Sequence, residues 1–307
     1  MTSSTHIDFQ NMRLAFIGGG NMASAILGGL IRQGLAPKQV TVIEPFAETA
    51  DKLRKEFGIE VHAAASDVLA DANLVVWAVK PQVFKDAALP VAAFTPKALH
   101  LSVAAGIRSD SIARWLHTER VVRSMPNTPA LVGQGITGLF ARASVSANDK
   151  ALVEQVLQST GEWLWVKQES DLDVVTALSG SGPAYVFYFL EAMTEAGVQM
   201  GLSQDQAYHL AKATFGGATH LARQSTDSPE VLRQRVTSKG GTTYAALTSM
   251  ADDHVKEAFV KAMLAAQKRA AELGDEFGKD YPGRLKGSSA PAPQTLQNPP
   301  SGLAEML

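Results

Sequence analysis

The stretch RLAFIGGGNMASAI, Arg13 to Ile26, constrains this chain more than any other. A short apolar run reads as a strand, three glycines as a tight turn, and the following apolar-periodic residues as a helix over Asn21–Gln33. Gly18, Gly20 and Ala23 match the G-x-G-x-x-A fingerprint, which has meaning only in this strand–turn–helix setting. Gly18 permits the turn, Gly20 lets backbone approach a pyrophosphate, and Ala23 lets helix and sheet pack closely. The helix amides, beginning with Asn21 and Met22, then face the phosphates.

That turn opens an alternating pattern. Strands are expected at Arg13–Ile17, Val40–Ile43, Asn73–Val79, Ala98–Val103 and Arg120–Ser124, with helices at Ala47–Phe57, Gln82–Phe94 and Arg108–Leu116. NLVVWAV (Asn73–Val79) is almost wholly apolar, as suits a parallel strand covered on both faces. The alternation predicts an α/β domain with a mostly parallel, doubly wound sheet. From about Asp171 only helices are expected: Tyr185–Met200, Gln204–Ala222, Pro229–Val236, Thr243–Met250 and Asp253–Leu273. YVFYFLEAMTEAGVQM is apolar around much of its circumference, so it needs cover from a core or a second subunit. The expected organisation is an N-terminal extension over 1–12, a dinucleotide-binding domain over 13–168 and an all-α dimerisation and substrate domain over 169–274. A Pro- and Ser-rich tail over 275–307, too poor in apolar residues to order itself, is expected to follow.

Composition excludes several function classes. A formal net charge of −2 gives no basic footprint for nucleic acid or an anionic membrane. With no cysteine there is no thiolate nucleophile or Cys-type zinc site, and the seven histidines show no metal-ligand spacing. No apolar stretch approaches the about 20 residues that span a bilayer, and MTSSTHIDFQNMR lacks a signal-peptide pattern. The expected setting is cytoplasmic, with no metal, membrane or nucleic-acid partner.

Open α/β sheets bind ligands at the carboxyl ends of their strands. Glu44 ends the second strand, either to hydrogen-bond an adenosine ribose or as a surface acid before Pro45. Ala78, Val79, Lys80 and Pro81 follow the apolar strand, and Lys80 is read either as a cleft residue or as a solvated turn residue. Val103, Ala104, Ala105 and Gly106 are small enough for close approach of a nicotinamide ribose. RSMPNTP (Arg123–Pro129) continues the same edge.

No proton donor stands out. Hydride transfer needs no protein nucleophile, because the nicotinamide carries the chemistry. A carbonyl reductase would need a strong acid for the alkoxide, whereas an already protonated imine needs only alignment. Two glycine turns in the helical half are candidate substrate sites. ALSGSGPAYVF places Ser179–Gly182 before Pro183. VTSKGGTTYAAL places Ser238, Gly240 and Gly241 before amides of Thr242 and Thr243 that are suited to a carboxylate. Ordinary capped helix starts remain the alternative for both.

Together FIGGGNMA, AVKPQ, SVAAGI, RSMPNTPA, DVVTALSGSGPAY and VTSKGGTTYAAL, in that order, resemble the pyrroline-5-carboxylate reductase family over Arg13 to Leu273. The resemblance implies a Rossmann domain and an all-helical domain that dimerises by interleaving, with dimers often assembling into decamers. It implies reduction of 1-pyrroline-5-carboxylate to L-proline by NADPH or NADH, the last step of proline biosynthesis. It places the dinucleotide at Gly18–Ala23, Ala78–Pro81 and Val103–Gly106, and the substrate carboxylate at Ser238 and the amides of Thr242 and Thr243. Thr243 would face the ring nitrogen and Glu169 the product ammonium. Three positions depart from the family pattern: Lys239 replaces a usual proline, Ala65 an asparagine, and Arg235 a less charged residue that could reach a cofactor phosphate. Coenzyme preference therefore stays open. Similarly built hydroxyacid dehydrogenases and a non-catalytic dinucleotide sensor are the competing readings.

Overall fold

A computed structural model describes Phe9 and residues 12–278. The first half is one eight-stranded sheet: β1 (Leu14–Ile17), β2 (Val40–Ile43), β3 (Glu60–His62), β4 (Leu74–Trp77), β5 (Leu99–Ser102), β6 (Val121–Met125), β7 (Gly135–Ala141) and β8 (Gly161–Trp165). Its order is β3-β2-β1-β4-β5-β6-β7-β8. The first six strands are parallel and β7 runs antiparallel to β6. Five helices cover it: α1 (Asn21–Arg32), α2 (Ala47–Phe57), α3 (Phe84–Ala92), α4 (Ser109–Leu116) and α5 (Ala147–Leu157).

Alternate residues of each strand serve opposite faces of the sheet. Leu14 and Phe16 join one core with Ile26, Leu30, Leu53 and Val153. Ala15 and Ile17 join the other with Phe84, Ala88, Ile112 and Trp115. Within the second core, Trp77 Nε1 donates to His100 Nδ1 at 3.1 Å. Burial pushes the His100 imidazole down to about 4, so it is neutral.

The second half holds α6 (Asp171–Val175), a π-helical turn (Thr176–Gly180), α7 (Gly182–Gln199), α8 (Gln204–Gln224), α9 (Pro229–Arg235), α10 (Thr242–Asp252) and α11 (Val255–Gly278). Segment 169–180 seats on the sheet through close approaches. A Cβ at Gly138 would lie 2.7 Å from Val175 Cγ1, and one at Gly180 would lie 2.4 Å from Met125 Cε.

Several expectations need correction. Phe9 and Met12, assigned to an extension, are buried in the first core, and Gln39 Nε2 donates to both of their carbonyls. The sequence reading placed no element at β3, α5, β7 or β8. The glycines in β7 and the shortness of β3 hide their periodicity. The helix expected over Gln82–Phe94 starts as a 3-10 turn, Pro81–Val83, before α3. Ser179 and Gly180 belong to the π turn rather than to a loop before a helix. The helix ending the second half runs to Gly278, past the expected boundary at 274. The remainder of the expected tail lies outside the described residues.

Candidate active site

Register builds the first part of the site. Ile17 pairs with Ile43 and with Trp77, and Trp77 pairs with Ser102. The residues that follow, Gly18, Glu44, Ala78 and Val103, therefore emerge side by side at the carboxyl edge of the sheet. Gly18 has φ +92°, and a Cβ there would sit 2.7 Å from the Ala78 carbonyl oxygen, so the turn requires glycine. A Cβ at Gly20 would meet nothing within 4 Å, leaving its backbone open to a ligand. Asn21 is exposed, Met22 half-buried and Ala23 fully buried under the helix.

The loops alongside are held from below. Val103 N–H donates to the Trp77 carbonyl, and Ala104 N–H to Ser102 Oγ at 3.3 Å. Ser124 Oγ donates to the Ser102 carbonyl at 2.8 Å. Ala105 faces solvent. Lys80 is exposed and Pro81 begins a 3-10 turn. Ala65 is half-buried against the second core.

Glu44 is neither a free ribose ligand nor a surface acid. It is buried, and one carboxylate oxygen accepts from Gly19 N–H at 2.9 Å while the other accepts from Phe46 N–H at 3.0 Å. It braces the glycine turn.

Helix starts separate candidate anion sites from ordinary ones. Ser146, Ser203 and Ser228 cap α5, α8 and α9 with their hydroxyls. Helices α2, α3, α4, α6 and α11 carry an acid in the first turn. Helix α7 continues from the π turn. Among the described residues, only α1, starting at Gly20, and α10, starting at Gly241, combine a glycine N-cap with neither a side-chain cap nor a first-turn acid. Their amides are left for something else.

The α10 turn is not assembled with the sheet edge. Its hydrogen bonds are local, with Gly241 N–H donating to the Ser238 carbonyl at 3.0 Å, and Ser238, Thr242 and Tyr244 are exposed. Lys239 is exposed in the same turn. The exposed Arg235 guanidinium pairs with Asp227, which also accepts from Ser225 Oγ. Between the two halves, a cavity of about 500 Å³ runs along Asn127, Pro129, Leu178, Ser179 and Tyr185. The loop after β6 and the π turn therefore share one groove.

Glu169 differs most from expectation. Its carboxylate accepts from Ser109 N–H, Ser109 Oγ and Arg123 Nη1, each at 2.6 Å. Burial alone would raise this carboxyl, but the Arg123 charge and the Ser109 hydrogen bonds hold it below its ordinary value. A carboxylate so engaged ties α6 to β6 and α4 and is not open to a substrate ammonium. The sequence reading missed Ser109 and Arg123 because they lie 60 and 46 residues away from it in the chain. Among the described residues, no group of His, Cys, Asp or Glu is placed to hold a metal ion, and no helix is long and apolar enough to cross a membrane.

Comparison with known proteins agrees with this geometry. Residues 169–273 match the family model for pyrroline-5-carboxylate reductase dimerisation, and residues 13–106 match that for NADP oxidoreductase, coenzyme F420-dependent. A pyrroline-5-carboxylate reductase of Pseudomonas aeruginosa is 44% identical over 87% of this chain and 98% of its own length. That of Escherichia coli is 36% identical over 85% and 98%. Among solved structures, the enzyme of Coxiella burnetii superposes with a TM-score of 0.81 at 37% identity, covering 86% of this chain and 99% of that one. The Plasmodium falciparum enzyme with NADP bound gives 0.78 at 27% identity, covering 87% and 100%. The chain belongs to the pyrroline-5-carboxylate reductases, the NAD(P)-dependent oxidoreductases that reduce pyrroline-5-carboxylate to proline.

Proposed function

We propose that the reaction is carried by the two uncapped, glycine-started helices, one for the dinucleotide and one for the imine. The observation that carries this is the contrast in helix starts: among the described residues α1 and α10 alone pair a glycine N-cap with amides left unclaimed by a serine cap or an acid. When bound, NAD(P)H supplies the hydride. The amides from Asn21 onward hold its pyrophosphate, Glu44 keeps the turn in shape by engaging Gly19, and Val103–Gly106 lie along the nicotinamide side of the edge. Ser238 and the amides of Thr242 and Thr243 hold the substrate carboxylate. The Thr243 hydroxyl orients the ring nitrogen, and no strong acid is required because the imine arrives protonated.

The α10 turn is exposed while the sheet edge lies in the other half, so a second copy completes the site. Exposed Phe187, Tyr188, Leu210 and Leu264 on the helical half supply the apolar face for that dimer. Further assembly to a decamer follows the family habit and is read by light scattering.

The testing experiment follows nicotinamide absorbance with purified protein and pyrroline-5-carboxylate, using NADPH and NADH in parallel. Imine-dependent oxidation is expected, and the rate ratio fixes coenzyme preference. Cofactor binding without oxidation by either would overturn the reading.

A further inference from the structure

The loop Val103–Gly106 is pinned unevenly. Its first half hangs from the sheet through Val103 N–H, Ser102 and Ser124. Its second half turns at Gly106, with φ +74°, and has different support. A Cβ at Gly106 would lie 3.1 Å from Phe277 Cδ2 and 3.3 Å from Leu273 Cβ. Both side chains come from the last turns of α11, more than 160 residues away in the chain.

The same turns are fastened beside the loop. Arg108 Nη2 donates to Asp275 Oδ1 at 2.8 Å and to the Ala271 carbonyl at 3.4 Å. The guanidinium lies over Gly274, where a Cβ would come within 3.0 Å of it. Ser111 Oγ donates to the Gly278 carbonyl at 3.5 Å. Phe277 packs against the second core, which contains Ala104, Ile107 and Ile112. Asp275 and Phe277 lie past residue 273, where the dimerisation family match ends.

We propose that the final turn of α11 is a positioning element for the cofactor loop: Phe277 closes over Gly106, the Arg108–Asp275 pair keeps it there, and the loop's outer half is thereby held where the nicotinamide ribose lies. Phe277 acts through Gly106 and does not touch the reacting atoms. A flat ring against a glycine with no Cβ is a close fit, so loss of the ring frees the loop by letting Gly106 sag into the space. This rests on the reading that Val103–Gly106 lines the cofactor site.

The test uses full-length Phe277→Ala, Phe277→Leu, Ala105→Trp and Phe94→Ala. Nicotinamide fluorescence gives the NADPH dissociation constant, and turnover gives separate KM values for cofactor and imine. Ala105→Trp probes the loop itself. Phe94→Ala removes another half-buried ring from the same core, away from Gly106. Phe277→Ala is expected to raise the NADPH dissociation constant roughly tenfold, since small misplacements of a positioning group carry large penalties. Imine KM stays near that of the parent, Phe277→Leu recovers most of the loss, and Phe94→Ala lowers Tm without moving the dissociation constant. If Ala105→Trp weakens NADPH but Phe277→Ala does not, the positioning role is overturned while the loop reading stands. Phe277→Ala shifting both KM values in step with a fall in Tm also overturns it. If neither Ala105→Trp nor Phe277→Ala moves the dissociation constant, the loop reading fails and takes this inference with it.

Discussion

The two halves of the chain handle apolar surface in opposite ways. The sheet half buries Phe16, Ile26, Leu27, Leu30, Trp77 and Phe84 essentially completely, in two cores. In the helical half, the buried apolar side chains from α7 to α11 are alanines: Ala207, Ala211 and Ala270. Many of its large side chains face outward, with Phe187 at 57% exposure and Tyr188 at 68%. A helix presenting such a face is stable only when another surface covers it. The sheet half is a finished domain, and the helical half is part of one that a second subunit completes.

The difference extends to the two anion turns. At Gly18–Ala23 the wall opposite the amides is supplied by the same sheet, through Ala78 and Glu44. At Ser238–Thr243, Ser238, Lys239 and Thr242 are exposed. One turn is walled by its own sheet, and the other is open.

The largest effect that would break this contrast is at the apolar face. Phe187→Arg puts a charge where the partner would pack, and a central interface position is worth about 2 kcal/mol or more. Sedimentation should show monomer and turnover should collapse, while cofactor fluorescence shows the sheet half still binding. A monomer that still turned over would mean the halves are equally self-sufficient.

Next comes the seam between the halves. Glu169→Ala strands the buried Arg123 guanidinium, a loss of about 3 kcal/mol on urea unfolding, whereas Glu169→Gln keeps the Ser109 contacts and loses less. Because the native Glu169 carboxyl titrates below its ordinary 4.5, its contribution is whole above that pH and fades as pH falls through the native value. Acid unfolding of Glu169→Gln should therefore lack part of the parent's pH dependence below 4.5.

A third effect belongs to the sheet half alone. His100 takes a proton near 4 when folded and near 6.5 when unfolded, so stability drops as pH falls between those values. From pH 7 to pH 5 the loss is about 2 kcal/mol. His100→Leu should flatten that slope in denaturant titrations. An unchanged slope would assign it to other histidines.

The smallest effect sharpens the α10 turn. Thr243→Ala removes one hydrogen bond to the protonated imine, about 1.5 kcal/mol, so imine turnover should fall about tenfold with the NADPH dissociation constant unchanged. A much larger fall would make the hydroxyl part of proton delivery, and no change would remove it from the site.

The strand–turn–helix at Gly18 was legible because its requirements are local. A turn with φ +92° needs glycine, and β1 and α1 announce themselves by periodicity within a few residues. The alternation of strands and helices up to β6 and the run of helices after Asp171 were legible for the same reason. Strands β7 and β8 were not, since glycines at 135, 138 and 161 break the pattern, and their reasons lie in distant neighbours such as Val175.

Side-chain roles divide along the same line. The sequence by itself determined β1, β2, β4, β5 and β6, the helices α1 to α4 between them and the run of helices after Asp171, because backbone conformation and capping are decided over four or five residues. Only the tertiary structure decided what the charged groups do. Glu44 turns inward to Gly19, Glu169 is claimed by Arg123 and Ser109, Arg235 pairs with Asp227, and Phe277 reaches Gly106. A long side chain's partner is whichever opposite group the folded chain brings within reach, and chain separation carries no trace of that distance.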